Sequence, residues 1–490
     1  MADDEQQPDR YPDWFPDWAR PGARRNLNTP LLDVEEEMIP LQTLEIDGES
    51  QQTRSNLTVP EDNSDGDGFT RTTKVVFVTP RPERTVSRKL RGIQLFMITV
   101  NTTLGTGLYW RGGQILELGG PLAVVLSFLL VGILACAVMQ CIAELLCIWP
   151  VPGALSVYVS EFVDVELGIA VGITYWFTYS VSFAALMATV ASELGFWADS
   201  EKVIHNVVIY LIPPIIPIAI NMFRVETFGW IEVATGATKL LFLLIILLSL
   251  VTINLKDNLH DKHWKAATQF DEKATRHWVF ALFMSTSIAT FAYVGVEVVA
   301  ASALEARWSN SQRPAPAGEE VPFIRRTVKF SAVFFSLLAV GAYTLSGLLT
   351  SLDIPWDDCR LPRLSWVEAP HCDNAINSTS AFVIIADESK IQNLDDVFNA
   401  FLVFTAVTCG SATLFVASRS LFGLTARLDG GSTQPWYIRI LALFGKTNRH
   451  KVPVRAVILS AGAFFWLPPL QLLGDATKKN KPNDMVKFPC

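Results

Sequence analysis

Nine predominantly apolar runs, each about long enough to cross a bilayer as a helix, constrain this sequence more than any other feature. They cover approximately 92 to 116, 121 to 148, 164 to 194, 204 to 223, 228 to 254, 278 to 305, 328 to 351, 394 to 424 and 454 to 474. A crossing helix needs about twenty such residues, because each backbone amide at that depth must find its partner within the segment. With half of its 490 residues apolar and a positive mean hydropathy, the chain has too little polar sequence to wrap these runs in a soluble globule. The expected fold class is therefore an all-α polytopic membrane protein, with the lipid bilayer as its principal surroundings.

The remaining composition excludes more than it assigns. The net charge of −8 collects outside the apolar runs, notably in the first sixty residues, and nothing points to nucleic acid. Seven cysteines are scattered without a C-x-x-C pair or a histidine at ligand spacing, so no metal site is expected. Cys136, Cys141, Cys147 and Cys409 lie in apolar runs and read as small buried hydrophobes. No charged segment followed by an apolar stretch opens the sequence, which predicts no cleaved signal peptide. Residues 1–84, rich in Asp, Glu, Gln, Pro and Ser, read as a disordered tail, residues 85–474 as the membrane domain, and residues 475–490 as a polar tail.

Arg84, Arg88, Lys89 and Arg91 precede the first run and place the N-terminus in the cytoplasm by the positive-inside rule. Alternation puts the loop from Asp353 to Asp396 on the opposite side. There Cys359 and Cys372 form a candidate disulfide, and the sequon at Asn377 a candidate N-glycosylation site. Nine spans would leave Lys478, Lys479, Lys481 and Lys487 outside, against the same rule.

The first run contains "TTLGTGLYWRGG", with Gly105, Gly107, Gly112, Gly113 and a charged Arg111. Gly and Thr at mid-membrane let a helix unwind, and irregular backbone is tolerated there only where it lines a cavity or is buried in protein. A break near Gly105 to Gly107 starts a second half-helix whose free N–H groups and positive dipole end suit a carboxylate. Transporters built from discontinuous helices carry a second break in the other repeat. The sixth run, "TFAYVGVEVVAASALEA", offers Gly295 for it, with Glu297 two positions on and Glu305 farther along. For Gly295, a site and close helix packing are compatible readings. An ionised group at the bilayer centre costs about 3 kcal/mol, so Glu297 and Arg111 are expected to face a partner or water. Glu232 and Lys239 lie seven residues apart on one face of the fifth run; either Lys239, desolvated, gains and loses a proton during a cycle, or the two form a permanent structural ion pair. Glu144 and Glu193 read as structural or interfacial.

The segments "LGTGLYWRGGQILELGGP", "AELLCIWPVPGALSVYVSEFVDVELGIAVGITYWFTY", "FGWIEVATGATK", "FAYVGVE" and "TLFVASRSLFGLTA" occur in that order. Together, over roughly Arg88 to Gly474, they resemble the fungal amino acid permeases of the amino acid–polyamine–organocation superfamily. That resemblance implies a LeuT-type inverted-repeat fold with broken first and sixth helices, and about nine of the family's twelve spans. It implies that the backbone around Thr103, Leu104, Gly105, Thr106 and Gly107 holds a substrate carboxylate. Carbonyls near Phe291 and Ala292 would hold the amino group, with Tyr293 as the gating aromatic beside Gly295. Lys239 and Glu297 match the family's proton-coupling positions. The chain departs from the pattern at Asn101 and Thr102, where two glycines are usual, and at Ser411 and Thr413, where asparagines are usual. With Arg111, Ser411 and Thr413 become candidate vestibule residues. Set against the family's twelve spans, the resemblance implies a second repeat without its tenth helix and no counterpart to helices 11 and 12.

What the resemblance implies for function is proton-coupled import of an amino acid, or a related small zwitterion or cation, across the plasma membrane. It needs no cofactor beyond the proton gradient and involves no enzymatic reaction. Alternatives are a non-transporting nutrient receptor, favoured somewhat by the long tail and altered polar positions, and a carrier for carnitine or polyamines. Lys74 is a candidate ubiquitination site through which trafficking machinery would act on the N-terminal tail.

Overall fold

The computed structural model describes residues 86–87, 89–148, 153–197, 208–257, 264, 268–302, 305, 322–364, 367, 380–426, 428, 431 and 434–469. The chain divides into Met1–Thr72 and Thr73–Cys490, and every described residue belongs to the second unit. Lys74, Cys372, Asn377 and the tails 1–84 and 475–490 lie outside the described residues. Cys359 is disulfide-bonded.

Helix α1, Gly92–Thr103, is separated from α2, Thr106–Ile148, by Leu104 and Gly105. Within α2 the backbone turns at Gly120, with φ 78° and ψ −175°, and Pro121 restarts the helix where its missing N–H costs nothing. Only glycine fits that corner, since a Cβ there would stand 2.0 Å from the Gln269 carbonyl oxygen. The corner at Gly120 thus falls between the first two expected spans.

After α3, Ala154–Phe162, comes α4, Val165–Leu194, capped by the Asp164 carboxylate, which accepts from the amides of Glu166 and Leu167. Helices α5, Ile215–Met222, and α6, Val225–Asp257, complete the first half. The sixth expected span is not one helix: α7, Trp278–Ala292, ends in a run of turns at 293–297 before α8, Val298–Ser302. Then follow α9, Pro322–Asp353; α10, Ala381–Glu388; α11, Leu394–Thr425; α12, Trp436–Phe444; and α13, Val454–Gly462.

Among the described residues, five helical stretches are long and apolar enough to cross a membrane, of which Gly92–Leu146 carries the first two spans. The fourth, sixth and ninth expected spans are shorter apolar helices, Val208–Met222, Trp278–Ala292 and Val454–Pro469. The chain is a multi-pass membrane protein whose described residues form helices and no sheet, with breaks in its first and sixth spans.

Helix α11 is the axis of the bundle. From Phe398 to Thr425 most of its residues are buried, and it touches α1, α4, α5, α6, α8, α10 and α13. A helix that is apolar on all sides belongs inside. At one end of the bundle, α10 covers the first half of α2: Ala381 to Ala386 are buried, the Ser380 hydroxyl donates to the Tyr109 carbonyl at 2.9 Å, and Phe382 meets the Tyr109 ring edge-on. Arg360 fastens this cover by donating to Asp358 at 2.7 Å and Glu388 at 2.8 Å. Burial pushes the Asp358 carboxyl up, but the hydrogen bonds and charge of Arg360 outweigh it and hold that group below the usual carboxylate range.

Candidate functional site

The last turn of an α-helix leaves four carbonyls without intrahelical partners, a costly condition inside a membrane. The end of α1 shows where they go. The Val100 carbonyl accepts from the Leu104 amide at 2.9 Å. The Asn101 carbonyl accepts from Lys239 Nζ of α6 at 3.0 Å, and the Thr102 carbonyl from Cys409 Sγ of α11 at 3.1 Å. The Thr103 carbonyl accepts from Tyr343 Oη of α9 at 2.6 Å. Three consecutive carbonyls are therefore held by three different helices through an ammonium, a thiol and a phenol. The ammonium also sits at the negative end of the α1 dipole, where a cation is favoured.

The second break closes on the first. Tyr343 Oη reaches the Ala292 carbonyl at 2.8 Å as well, so one phenolic proton is shared between the ends of α1 and α7. Gly295 has φ +107°, a backbone conformation that favours glycine, and a Cβ there would lie 2.9 Å from Thr102 Cγ2 and 3.2 Å from Thr103 Oγ1. Thr103 is 2% exposed and its hydroxyl has no hydrogen-bond partner among the described residues. A buried donor of this kind beside an unwound segment is the group a bound polar ligand would satisfy. The break is tied to α4 by Glu297, whose carboxylate accepts from the Gly295 amide at 3.1 Å and from the Tyr179 hydroxyl.

Thr103, Leu104, Gly105, Gly107, Ala292, Tyr293 and Gly295 are thus brought together around the breaks; the Thr106 side chain lies outside the described residues. Lys239 and Glu232 do not pair directly: among the described residues they form no ion pair. Both converge on Asn101 instead, Lys239 on its carbonyl and Glu232 on its side-chain amide at 2.6 Å. Asn101 therefore faces α6. Ser411 donates to Glu232 at 3.1 Å and Thr413 to the Gly410 carbonyl at 3.0 Å, so neither stands with Arg111. Arg111 lies 5.0 Å from the centroid of the Phe291 ring, over its face, and donates to Gln114 at 2.8 Å; Phe291 is 45% exposed. Tyr293 is buried, with its ring against Tyr343 and its hydroxyl on the Phe128 carbonyl at 2.8 Å. Its tip fits because Gly132 lacks a Cβ, which would stand 2.7 Å from it.

Tyr343 and Cys409 escaped sequence reasoning. Neither stands near a break in the sequence, and a thiol in an apolar run reads as packing. Tyr343→Phe keeps the ring stack and removes the shared proton. It should destabilise the fold by about 1–3 kcal/mol for each buried carbonyl left unpaired, read as a lowered thermal midpoint in nanodiscs.

The chain is similar in sequence to several known proteins. A probable amino-acid permease of Schizosaccharomyces pombe is 26% identical over 78% of this chain and 60% of its own length. The dicarboxylic amino acid permease of Saccharomyces cerevisiae is 30% identical over 78% of this chain and 59% of its own. A probable lysine/arginine permease of Candida albicans is 26% identical over 77% and 61%. The chain spans about three-fifths of the length of these curated relatives. The model of the amino acid permease family matches residues 94–467, and by that match, covering both breaks and the three helices that hold them, the chain belongs to the amino acid permease family.

Proposed function

We propose that this chain carries an amino acid across the plasma membrane by alternating access, driven by protons, with its N-terminus in the cytoplasm. The observation that supports this best is the capture of the Asn101, Thr102 and Thr103 carbonyls by Lys239, Cys409 and Tyr343. It ties an ionisable ammonium to the helix end that borders the break.

The substrate carboxylate occupies the positive end of α2 at Gly105 to Gly107, and the unpartnered Thr103 hydroxyl adds a donor or acceptor. The amino group lies toward the carbonyls of α1 and α7. Loss of a proton from Lys239 removes the charge that favours the end of α1, so protonation and the shape of the break depend on each other. Arg111 over the Phe291 ring and Lys239 on the Asn101 carbonyl put two cations beside the breaks, which disfavours a polycation. This supports a zwitterionic or acidic amino acid over a polyamine, in keeping with the relative named for dicarboxylic amino acids and less so with the one named for lysine and arginine.

The test is uptake of a labelled amino acid panel, with carnitine and spermidine, into permease-deficient yeast under a proton gradient. The chain is expressed alone and extended to the length of its relatives. Lys239→Ala is expected to abolish concentrative uptake while the protein still reaches the surface. Binding without uptake in both forms would favour the receptor reading, and gradient-independent uptake would remove the proton from the mechanism.

A further inference from the structure

Helix α12 is almost entirely apolar and almost entirely uncovered. Of its residues only Ala442 is buried, against α11 and α13, while Trp436, Tyr437, Ile440, Leu441 and Leu443 are between 42% and 73% exposed. A nine-residue helix is too short to cross the hydrocarbon core. The sequence around it is one-signed: between Asp429 and Asp475 there is no acidic residue, but there are Arg439, Lys446, Arg449, Lys451 and Arg455. None of these five cations has an ion-pair partner among the described residues. The turn that follows α12 is built to display them. The Asn448 side chain accepts from the amides of His450 and Val452 at 2.9 Å, and Lys451 takes φ +59°, which leaves Arg449, His450 and Lys451 exposed at its tip.

Exposed Trp and Tyr with unpaired cations beside them match the two layers of a bilayer surface, where aromatic rings sit at headgroup level and basic side chains meet phosphates. The geometry points to α12 and its following turn as a platform that lies on the membrane surface and binds the headgroups of anionic phospholipids. The aromatic and aliphatic face enters the acyl boundary; Arg439, Lys446, Arg449 and Lys451 contact the phosphate layer. This surface is separate from the helix breaks and does not depend on whether the chain transports anything.

The test is lipid retention by the purified full chain, read by native mass spectrometry during titration with phosphatidylserine or phosphatidylcholine. The wild-type chain is expected to hold phosphatidylserine more tightly. Its preference should fall about fivefold for each basic residue removed, so that Arg439→Gln/Lys446→Gln/Arg449→Gln/Lys451→Gln no longer discriminates. The control Lys273→Gln/Arg276→Gln/Lys390→Gln removes exposed cations elsewhere and should keep the preference. Trp436→Ser with the charges intact should weaken both lipids alike, and excess inorganic phosphate should displace neither. The proposal fails if the fourfold variant keeps its preference, if phosphate alone displaces the lipid, or if that variant changes the oligomeric state with lipid retention unaltered, which would assign the face to a second copy of the chain.

Discussion

Gly107→Ala is expected to abolish uptake and to lower the stability of the folded chain, whereas Gly112→Ala, in the same glycine-rich stretch, should leave both intact. A Cβ on Gly107 would stand 2.5 Å from Ala292 Cα and 3.2 Å from the Ala292 carbonyl oxygen. The obstacle is backbone, so no rotamer change can relieve it. Either α2 or α7 must retreat, and that retreat draws the Ala292 carbonyl from the Tyr343 hydroxyl, undoing the bond that joins the two breaks. Overpacking of this kind costs about 1–3 kcal/mol before the lost hydrogen bond is counted. The helix-propensity gain of alanine, about 1 kcal/mol, does not offset it. A Cβ on Gly112 meets nothing within 4 Å, so there the propensity gain stands unopposed. Thermal midpoints and initial uptake rates of the two variants, measured side by side, check this. A Gly107→Ala protein transporting at the wild-type rate would mean that the two breaks are not in contact in the working molecule.

Both breaks were legible in the sequence because glycine clusters with Thr in the first run and stands beside a charged Glu297 in the sixth. The four glycines of "TTLGTGLYWRGG" nonetheless do different things. Gly105 makes room for Cys409 Sγ, Gly107 for the α7 backbone, and Gly113 for Ala381 of α10, while Gly112 meets no neighbour. Nothing in a single sequence distinguishes these, because each depends on a partner far away along the chain. The same holds for Lys239 and Glu232. Their spacing placed them on one face of α6 and suggested a direct pair, but Asn101 of α1 joins them, accepting from Lys239 at its carbonyl and donating to Glu232 from its side-chain amide. Tyr343 was illegible for a further reason: helical periodicity identifies a buried face by contrast with a polar one, and in a helix surrounded by lipid and protein that contrast fades. The corner at Gly120–Pro121 falls between the expected spans 92 to 116 and 121 to 148, and glycine followed by proline is local chemistry that needs no distant partner.

The second large effect is expected at the opposite end of the bundle from α10, where the chain enters α1. Arg419 of α11 donates from Nε to Glu305 at 3.0 Å and from Nη1 to Ser418 at 3.0 Å, with its guanidinium 4.0 Å from the centroid of the Phe415 ring. Both charged groups are buried, at 3% and 0% side-chain exposure, and the Glu305 carbonyl also accepts from the Leu90 amide at 2.8 Å. One ion pair thus fastens the segment entering α1 and the residue following α8 to the central helix. Arg419→Ala leaves Glu305 buried and unpaired, which costs about 3–5 kcal/mol. Arg419→Lys does not restore the site, because a single ammonium cannot reproduce the planar contact with Phe415 and both donor directions. Replacing both partners, as in Glu305→Leu/Arg419→Met, removes the orphaned charge and should recover most of the thermal stability lost in the single variant. The pair therefore separates folding from function: if it serves only the fold, the double variant regains uptake along with its melting temperature. If the lock must open and close in each cycle, the double variant folds but transports slowly, because an apolar contact cannot release its partners into water as an ion pair does.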